Sequence, residues 1–232
     1  QAGSALEAVL LSLALAHRIK EDRVAVMRAL EQKHETLQKM KQMELESLEA
    51  ALHDPLTRMP NDAMLMSRMN ELNHQAASQL YALVLLQFPQ MREITASLGR
   101  AVAEPLFVRI VKDINRQLVL IGCAHAIEEK CGSYLAVTEY GTLAFLCRRC
   151  DLDLTSVLDM AESIRGTYDR PVDVAHLTLI MPALCAITLY PSQGEKPETL
   201  LQHANVSLEQ ALRSDQRTCV YNPEFEAFGH RR

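Results

Sequence analysis

Tyr134–Cys147 reads YLAVTEYGTLAFLC: two apolar runs of β-forming residues hinged at Tyr140-Gly141, the pattern of a β-hairpin. The elements around it follow by working outward. Upstream, Tyr81–Phe88 (YALVLLQF) is a continuous apolar run of strand length, as expected of a strand buried on both faces. Between them, Gln90–Leu118 has helical composition, with a break expected at Gly99 and a restart at Pro105. Downstream, Asp153–Tyr168 reads as a helix capped at Asp153 or Thr155, and Val172–Tyr190 as one or two strands. Lys196–Ser214 reads as another helix and Thr218–Tyr221 as a short last strand. The order strand–helix–hairpin–helix–strand predicts an α/β (α+β) domain with a ferredoxin-type βαββαβ core, its central sheet mostly antiparallel and flanked by helices.

The first quarter of the chain has a different character. Asn61–Ala77 reads as a helix capped by Asn61 or Asp62. Before it, Glu21–Leu52 lacks Gly and Pro and is rich in Glu, Lys, Gln, Leu, Met and Ala, all strong helix formers. Met27, Leu30, Leu37, Met40, Leu45, Leu48 and Leu52 recur at steps close to three and four, interrupted by His34, Lys41 and Glu44. This predicts a long N-terminal helix able to pair in a parallel coiled coil, with Met27, Leu30, Leu37, Leu48 and Leu52 as its seam. The competing reading is a single helix packed on its own domain. Pro55 ends the helix at His53-Asp54. Ala5–Ile19 is apolar but carries Glu7 and is too short to span a bilayer alone. It fits the cytoplasmic end of a membrane helix, closed by His17, Arg18 and Lys20, or an exposed dimer seam.

The chain is 48% hydrophobic and 23% charged, enough for a real core. Net charge is −5, the isoelectric point is near 5.9, and aromatic residues are 5% with no Trp. These values disfavour nucleic acid as a partner. The six cysteines are scattered, mostly in apolar runs, as expected of reduced buried thiols. Cys147-x-x-Cys150 has metal or redox spacing but no second pair or suitably spaced His, so no metal site and no cofactor are expected. His53 beside Asp54 reads as a helix-end pair, His125 as a loop histidine, and Arg148-Arg149 as solvated or contacting a partner.

Two blocks resemble the GGDEF diguanylate cyclase family. Asp54–Asn61 (DPLTRMPN) resembles its opening DPLTGLPN, and Tyr190-Pro191-Ser192-Gln193-Gly194, Leu200-Leu201, Ala204 and Ala211 resemble its YP..G and LL..A blocks. The residues Ser4, Leu6-Glu7, Leu10–Ala16 and Arg18-Ile19 resemble the exit of the last membrane helix in bacterial seven-transmembrane sensors that drive such domains. Phe225–Arg232 resembles the start of a hinge into an EAL phosphodiesterase domain. The implied organisation is a signalling helix at 1–52, a GGDEF domain at 53–222 and the start of a hinge at 223–232.

Joining two GTP molecules takes two divalent metals held by carboxylates, which the resemblance places at the end of the first strand and in the hairpin turn. Here those positions are Gln87 and Gly141, neither a carboxylate. The signature reads Glu139, Tyr140, Gly141, Thr142 and Leu143, of which Leu143 keeps the apolar character of the family residue. Pro89 removes an amide from a phosphate-binding turn, Thr95 replaces a nucleotide-holding Asn, and Glu104 replaces a guanine-reading Asp. Leu212 and Gln216 stand where the family carries a phosphate-contacting Lys and Arg, and Lys130 and Ser133 stand in place of its R-x-x-D product-inhibition site.

The resemblance therefore implies a degenerate, catalytically inactive domain at the cytoplasmic face of a bacterial inner membrane. It would be homodimeric through its helix and would relay a signal to an EAL domain or another protein. Two alternatives stand: a GTP-binding allosteric sensor without turnover, and a protein-docking module. Tyr140 is expected to lie over the vacated nucleotide cleft or to be exposed for docking.

Overall fold

The structure, a computed structural model, describes residues 2–75, 80–148, 154–174, 177–214 and 216–224. The chain divides into two units, Gln1–Ala50 and Ala51–Arg232. The first belongs to one helix, α1 (Ala2–Leu52). From Ser4 to Asp54 nothing interrupts helical propensity. Met27, Leu30, Leu37, Met40, Met43, Leu45 and Leu48 are exposed on it, each more than half accessible. Among the described residues, no helix is long and apolar enough to cross a membrane.

In the second unit Asn61 serves two helix ends. Its backbone N–H donates to Leu52 O (2.9 Å) and its side-chain amide to Ala51 O (2.8 Å), which satisfies carbonyls at the end of α1. Its Oδ1 accepts from Met64 N (3.1 Å) and caps α2 (Asp62–Gln75). In the connection, Asp54 Oδ1 accepts from the backbone and hydroxyl of Thr57, both at 2.7 Å. That turn forces Arg58 to φ 60°, a left-handed conformation that disfavours side chains. Arg58 stands where the resembled DPLTGLPN block has Gly.

The sheet is assembled on β1 (Tyr81–Gln87). It pairs antiparallel with β4 (Thr142–Arg148) on one side and β7 (Leu184–Tyr190) on the other. The far edge of β4 takes β3 (Leu135–Glu139) and the two-residue β2 (Ala124–His125), and β8 (Thr218–Val220) runs parallel to β7 at the opposite edge. The βαββαβ core order is thus as expected. Alternation along β1 divides the core. Ala82, Val84 and Leu86 pack with α3 (Gln90–Leu98), α4 (Arg100–Ile121) and α5 (Thr155–Gly166). Tyr81, Leu83 and Leu85 pack with α2 and α6 (Pro197–Arg213).

Three local expectations are corrected. His125 lies in a strand, not a loop: it pairs with Leu146 and is 8% exposed. Helix α4 restarts at Arg100, directly after Gly99, and Pro105 lies inside it. A proline this near a helix start removes one donor, and the Gly99 carbonyl already accepts from Val102 and Ala103. The stretch Val172–Tyr190 takes part in three strands: β5 (Pro171–Val174) and β6 (Leu177–Ile180), which form a separate hairpin, and then β7.

Candidate functional site

Three segments meet at the tip of the β3–β4 hairpin. Strand β1 ends at Gln87, whose register partners are Thr142 on β4 and Leu184 on β7. The next residue, Phe88, donates its backbone N–H to Gly141 O at 2.8 Å and locks the turn against the start of α3. Gly141 sits at φ 89°, and a Cβ there would meet Phe88 O at 3.3 Å and Met91 Cβ at 3.4 Å. Both the left-handed conformation and the close packing disfavour a side chain at this position.

Tyr140, 36% exposed, reaches across α3 and α4. Its hydroxyl is 3.1 Å from Thr95 Oγ1 on α3, and its ring packs 5.0 Å from that of Phe107 on α4, tilted by 55°. Thr95 also donates to Met91 O at 2.7 Å, which fixes its rotamer. The residue expected to cover a vacated cleft therefore touches one of the two positions expected to line it. The other, Glu104, faces Arg100 one turn away at 3.9 Å. Phe107 was not singled out in the sequence; a buried aromatic in a helix reads as ordinary core.

On the other side of the turn, a cleft of about 130 Å³ is lined by Asp62, Gln87, Thr138, Glu139, Thr142, Leu201 and Asn205. Asp62 and Glu139 are both exposed, and the remaining polar groups are neutral amides and hydroxyls. Among the described residues no three His, Cys, Asp or Glu side chains gather as metal ligands. The carboxylates of the cleft are the exposed Asp62 and Glu139, while Gln87 at the end of β1 is neutral. Asp62 and Asn205 were not anticipated as lining residues, because they come from α2 and α6 and share no motif with the hairpin.

A second cleft, of about 260 Å³, lies between Pro89 and Gln90 at the start of α3 and Leu184, Leu212 and Arg217. Leu212 is exposed and apolar, and Arg217 is held by the Asp169 carboxylate. Lys130 is exposed, and Ser133 is buried with its hydroxyl 3.8 Å from Met59 Sδ. His53 is bonded to Glu128 at 3.0 Å, and Asp54 to Thr57, so the two adjacent residues serve different partners. Cys150, Arg149, Asp153 and Phe225–Arg232 lie outside the described residues.

The strongly displaced titrations belong to buried groups away from the turn. Burial, aided by Arg148 and Arg68, holds His125 down at about 4. Burial pushes the Tyr81 and Tyr168 hydroxyls and the Cys147 and Cys185 thiols up.

The family model for "Diguanylate cyclase, GGDEF domain" matches residues 51–218, covering β1, the hairpin and α6. The chain belongs to the GGDEF family. Solved GGDEF structures share its fold. The GGDEF domain of TpbB (YfiN) from Pseudomonas aeruginosa is 22% identical with a TM-score of 0.64, covering 76% of this chain and 98% of that one. The coiled coil and GGDEF domain of DgcB from Caulobacter crescentus, in complex with c-di-GMP, is 13% identical with a TM-score of 0.64, covering 84% and 98%. Diguanylate cyclase SiaD from Pseudomonas aeruginosa, in complex with its activator SiaC, is 22% identical with a TM-score of 0.60, covering 95% and 80%. No curated protein matches.

Proposed function

We propose that this GGDEF chain is a catalytically inactive regulatory domain of a bacterial cyclic-di-GMP signalling receptor. It takes a signal from its N-terminal helix and relays it to a downstream domain, of EAL type, at the cytoplasmic face of the inner membrane. The observation that carries this reading is the contact of Tyr140 with Thr95 on α3 and Phe107 on α4, which sets a tyrosine against both helices. The neutral Gln87 and side-chain-free Gly141 support it, since a divalent ion needs hard oxygen donors with charge. Domain limits at 1–52, 53–222 and 223–232 belong to the same proposal, with a docking role for Tyr140 as the alternative to its covering the cleft.

The helix supplies the input. Its exposed Met27, Leu30, Leu37 and Leu48 form an apolar stripe that a second copy would cover; Leu52 is half-buried. Light scattering should give a dimer for the whole chain and a monomer for a version starting at His53. Equal masses for the two would remove the helix from the dimer.

A second reading, a GTP-binding sensor without turnover, is favoured by one observation: Arg217 lines the cleft beside Gln90 and is a cation one position from Gln216. Calorimetric titration separates the two. The proposal expects no saturable heat with GTP or cyclic-di-GMP in the presence of Mg²⁺. Saturable GTP binding abolished by Arg217→Ala would establish the sensor instead.

A further inference from the structure

A row of polar side chains crosses three strands beside the hairpin tip. Glu139 on β3 pairs with Thr142 on β4, and Thr142 pairs with Gln87 on β1. Register partners share a face of the sheet, with neighbouring strands about 4.8 Å apart. That face is the one covered by α2 and α6, because Gln87 continues the alternation of Tyr81, Leu83 and Leu85 along β1. A β-bulge between Val137 and Glu139 re-aims the end of β3, so that Thr138 and Glu139 both line the cleft of about 130 Å³. Asp62 at the start of α2 and Asn205 on α6 complete the lining with Leu201. Tyr140 reaches the other way, to α3 and α4.

The cleft holds polar groups with nothing to bond. Thr142 is 6% exposed and lines it, yet among the described residues its hydroxyl has no hydrogen-bond partner. The Thr138 hydroxyl reaches the Thr142 backbone carbonyl instead, at 3.4 Å. The side-chain amide of the half-buried Gln87 is likewise without a partner among the described residues. A buried polar group left unbonded costs stability, and a ligand that bonds it recovers that cost. The lining carries the carboxylates of Asp62 and Glu139 and no Lys, Arg or His, so the ligand it suits is a cation.

The oxygens present decide which cation. A divalent ion needs several charged oxygens, and among the described residues no three metal-ligating side chains gather. A primary ammonium donates three hydrogen bonds from a compact centre, and amide and hydroxyl oxygens accept them alongside a carboxylate. A volume of about 130 Å³ is the share of roughly four waters, room for an ammonium and a short alkyl stem against Leu201. We propose that this cleft binds a primary alkylammonium ion, carried by a free amine or by a lysine side chain. Asp62 and Glu139 meet its charge, and Thr142 Oγ1 and the Gln87 side-chain oxygen accept its N–H groups.

The test is a titration of the isotopically labelled whole chain with n-butylammonium chloride at constant ionic strength, followed residue by residue by NMR. Saturable shifts are expected at Gln87, Glu139 and Thr142. Glu139→Gln, Asp62→Asn and Thr142→Val, which keeps the volume, should each weaken binding about three- to tenfold. Thr142→Ser, which retains the hydroxyl, should bind as the native chain does. Asp159→Asn, which removes an exposed carboxylate on α5, should leave binding unchanged. Tetramethylammonium, with the same charge and no N–H, should give no saturable shift. Nα-acetyl-lysine methylamide separates the sources: tighter binding than n-butylammonium assigns the site to a protein lysine, weaker binding to a free amine. If Thr142→Val shifts the spectrum throughout, as a disturbed fold would, the exposed Glu139→Gln decides. The proposal is overturned if these residues show no saturable shift, if tetramethylammonium binds equally, or if Glu139→Gln binds as tightly as the native chain. Displacement of n-butylammonium by equimolar Ca²⁺ would overturn it in favour of a metal site.

Discussion

From Leu143 to Cys147, β4 is buried and aligned residue for residue with β1, whereas the turn just before it carries the partly exposed Tyr140. The body of the hairpin is constrained from both faces: Leu143 and Phe145 belong to one core, Ala144 and Leu146 to the other. Any change there is felt as a cavity or a clash. The tip is constrained only by the turn geometry at Gly141 and by whatever it touches. In this chain it touches its own helices. A fold can therefore be kept by its sheet while its tip takes on different chemistry, which is why family membership and activity are separate questions here.

The contrast predicts a gradient of effects. Phe145→Ala, in the body, should cost about 3–5 kcal/mol and lower the denaturant midpoint steeply. A loss as small as that of a surface change would show that the body is not the framework.

Acidification probes the other end of the same strand, where His125 pairs with Leu146. Its folded pKa of about 4 lies below the ordinary 6.5, so the unfolded chain binds the proton first. Stability from this group is present above about pH 6.5 and is lost as pH falls toward 4, on the order of 2–3 kcal/mol. His125→Gln should flatten that part of the stability–pH curve; an unchanged slope would remove His125 as the cause.

At the tip, Gly141→Ala should cost roughly 1–2 kcal/mol through its left-handed backbone, and Tyr140→Ala about 1 kcal/mol through the lost hydroxyl and ring contacts. Both are measurable by chemical denaturation. If Tyr140→Ala proved as damaging as Phe145→Ala, the tip would have to be counted with the core. The smallest effect runs the other way: Arg58→Gly should stabilise by up to about 1 kcal/mol, because Arg58 holds a left-handed turn without the freedom of glycine. A loss of stability there would mean that the Arg58 side chain contributes more than its backbone costs.

The framework was legible because its signals are local and repeated. The apolar run at Tyr81–Phe88, the hinge at Tyr140-Gly141 and the unbroken helix before Pro55 each have a period or a breaker that one window reveals. Short or tertiary features were not legible. The strand at Ala124-His125 is two residues long and shows no alternation, so His125 read as loop. Pro105 read as a breaker because sequence alone does not show that Gly99 already starts the helix. At the candidate site, the places of Gln87 and Gly141 could be read once the hairpin was placed. The partners of Tyr140 could not, since Thr95 and Phe107 reach it from two helices distant in sequence.

The central claim is that this GGDEF domain does not make cyclic-di-GMP, and incubation of the whole chain with GTP and Mg²⁺ or Mn²⁺ addresses it directly. With nucleotides resolved by chromatography, product should not exceed that of a mock purification. Cyclic-di-GMP that increases in proportion to added protein, and is absent from the mock, would contradict the account.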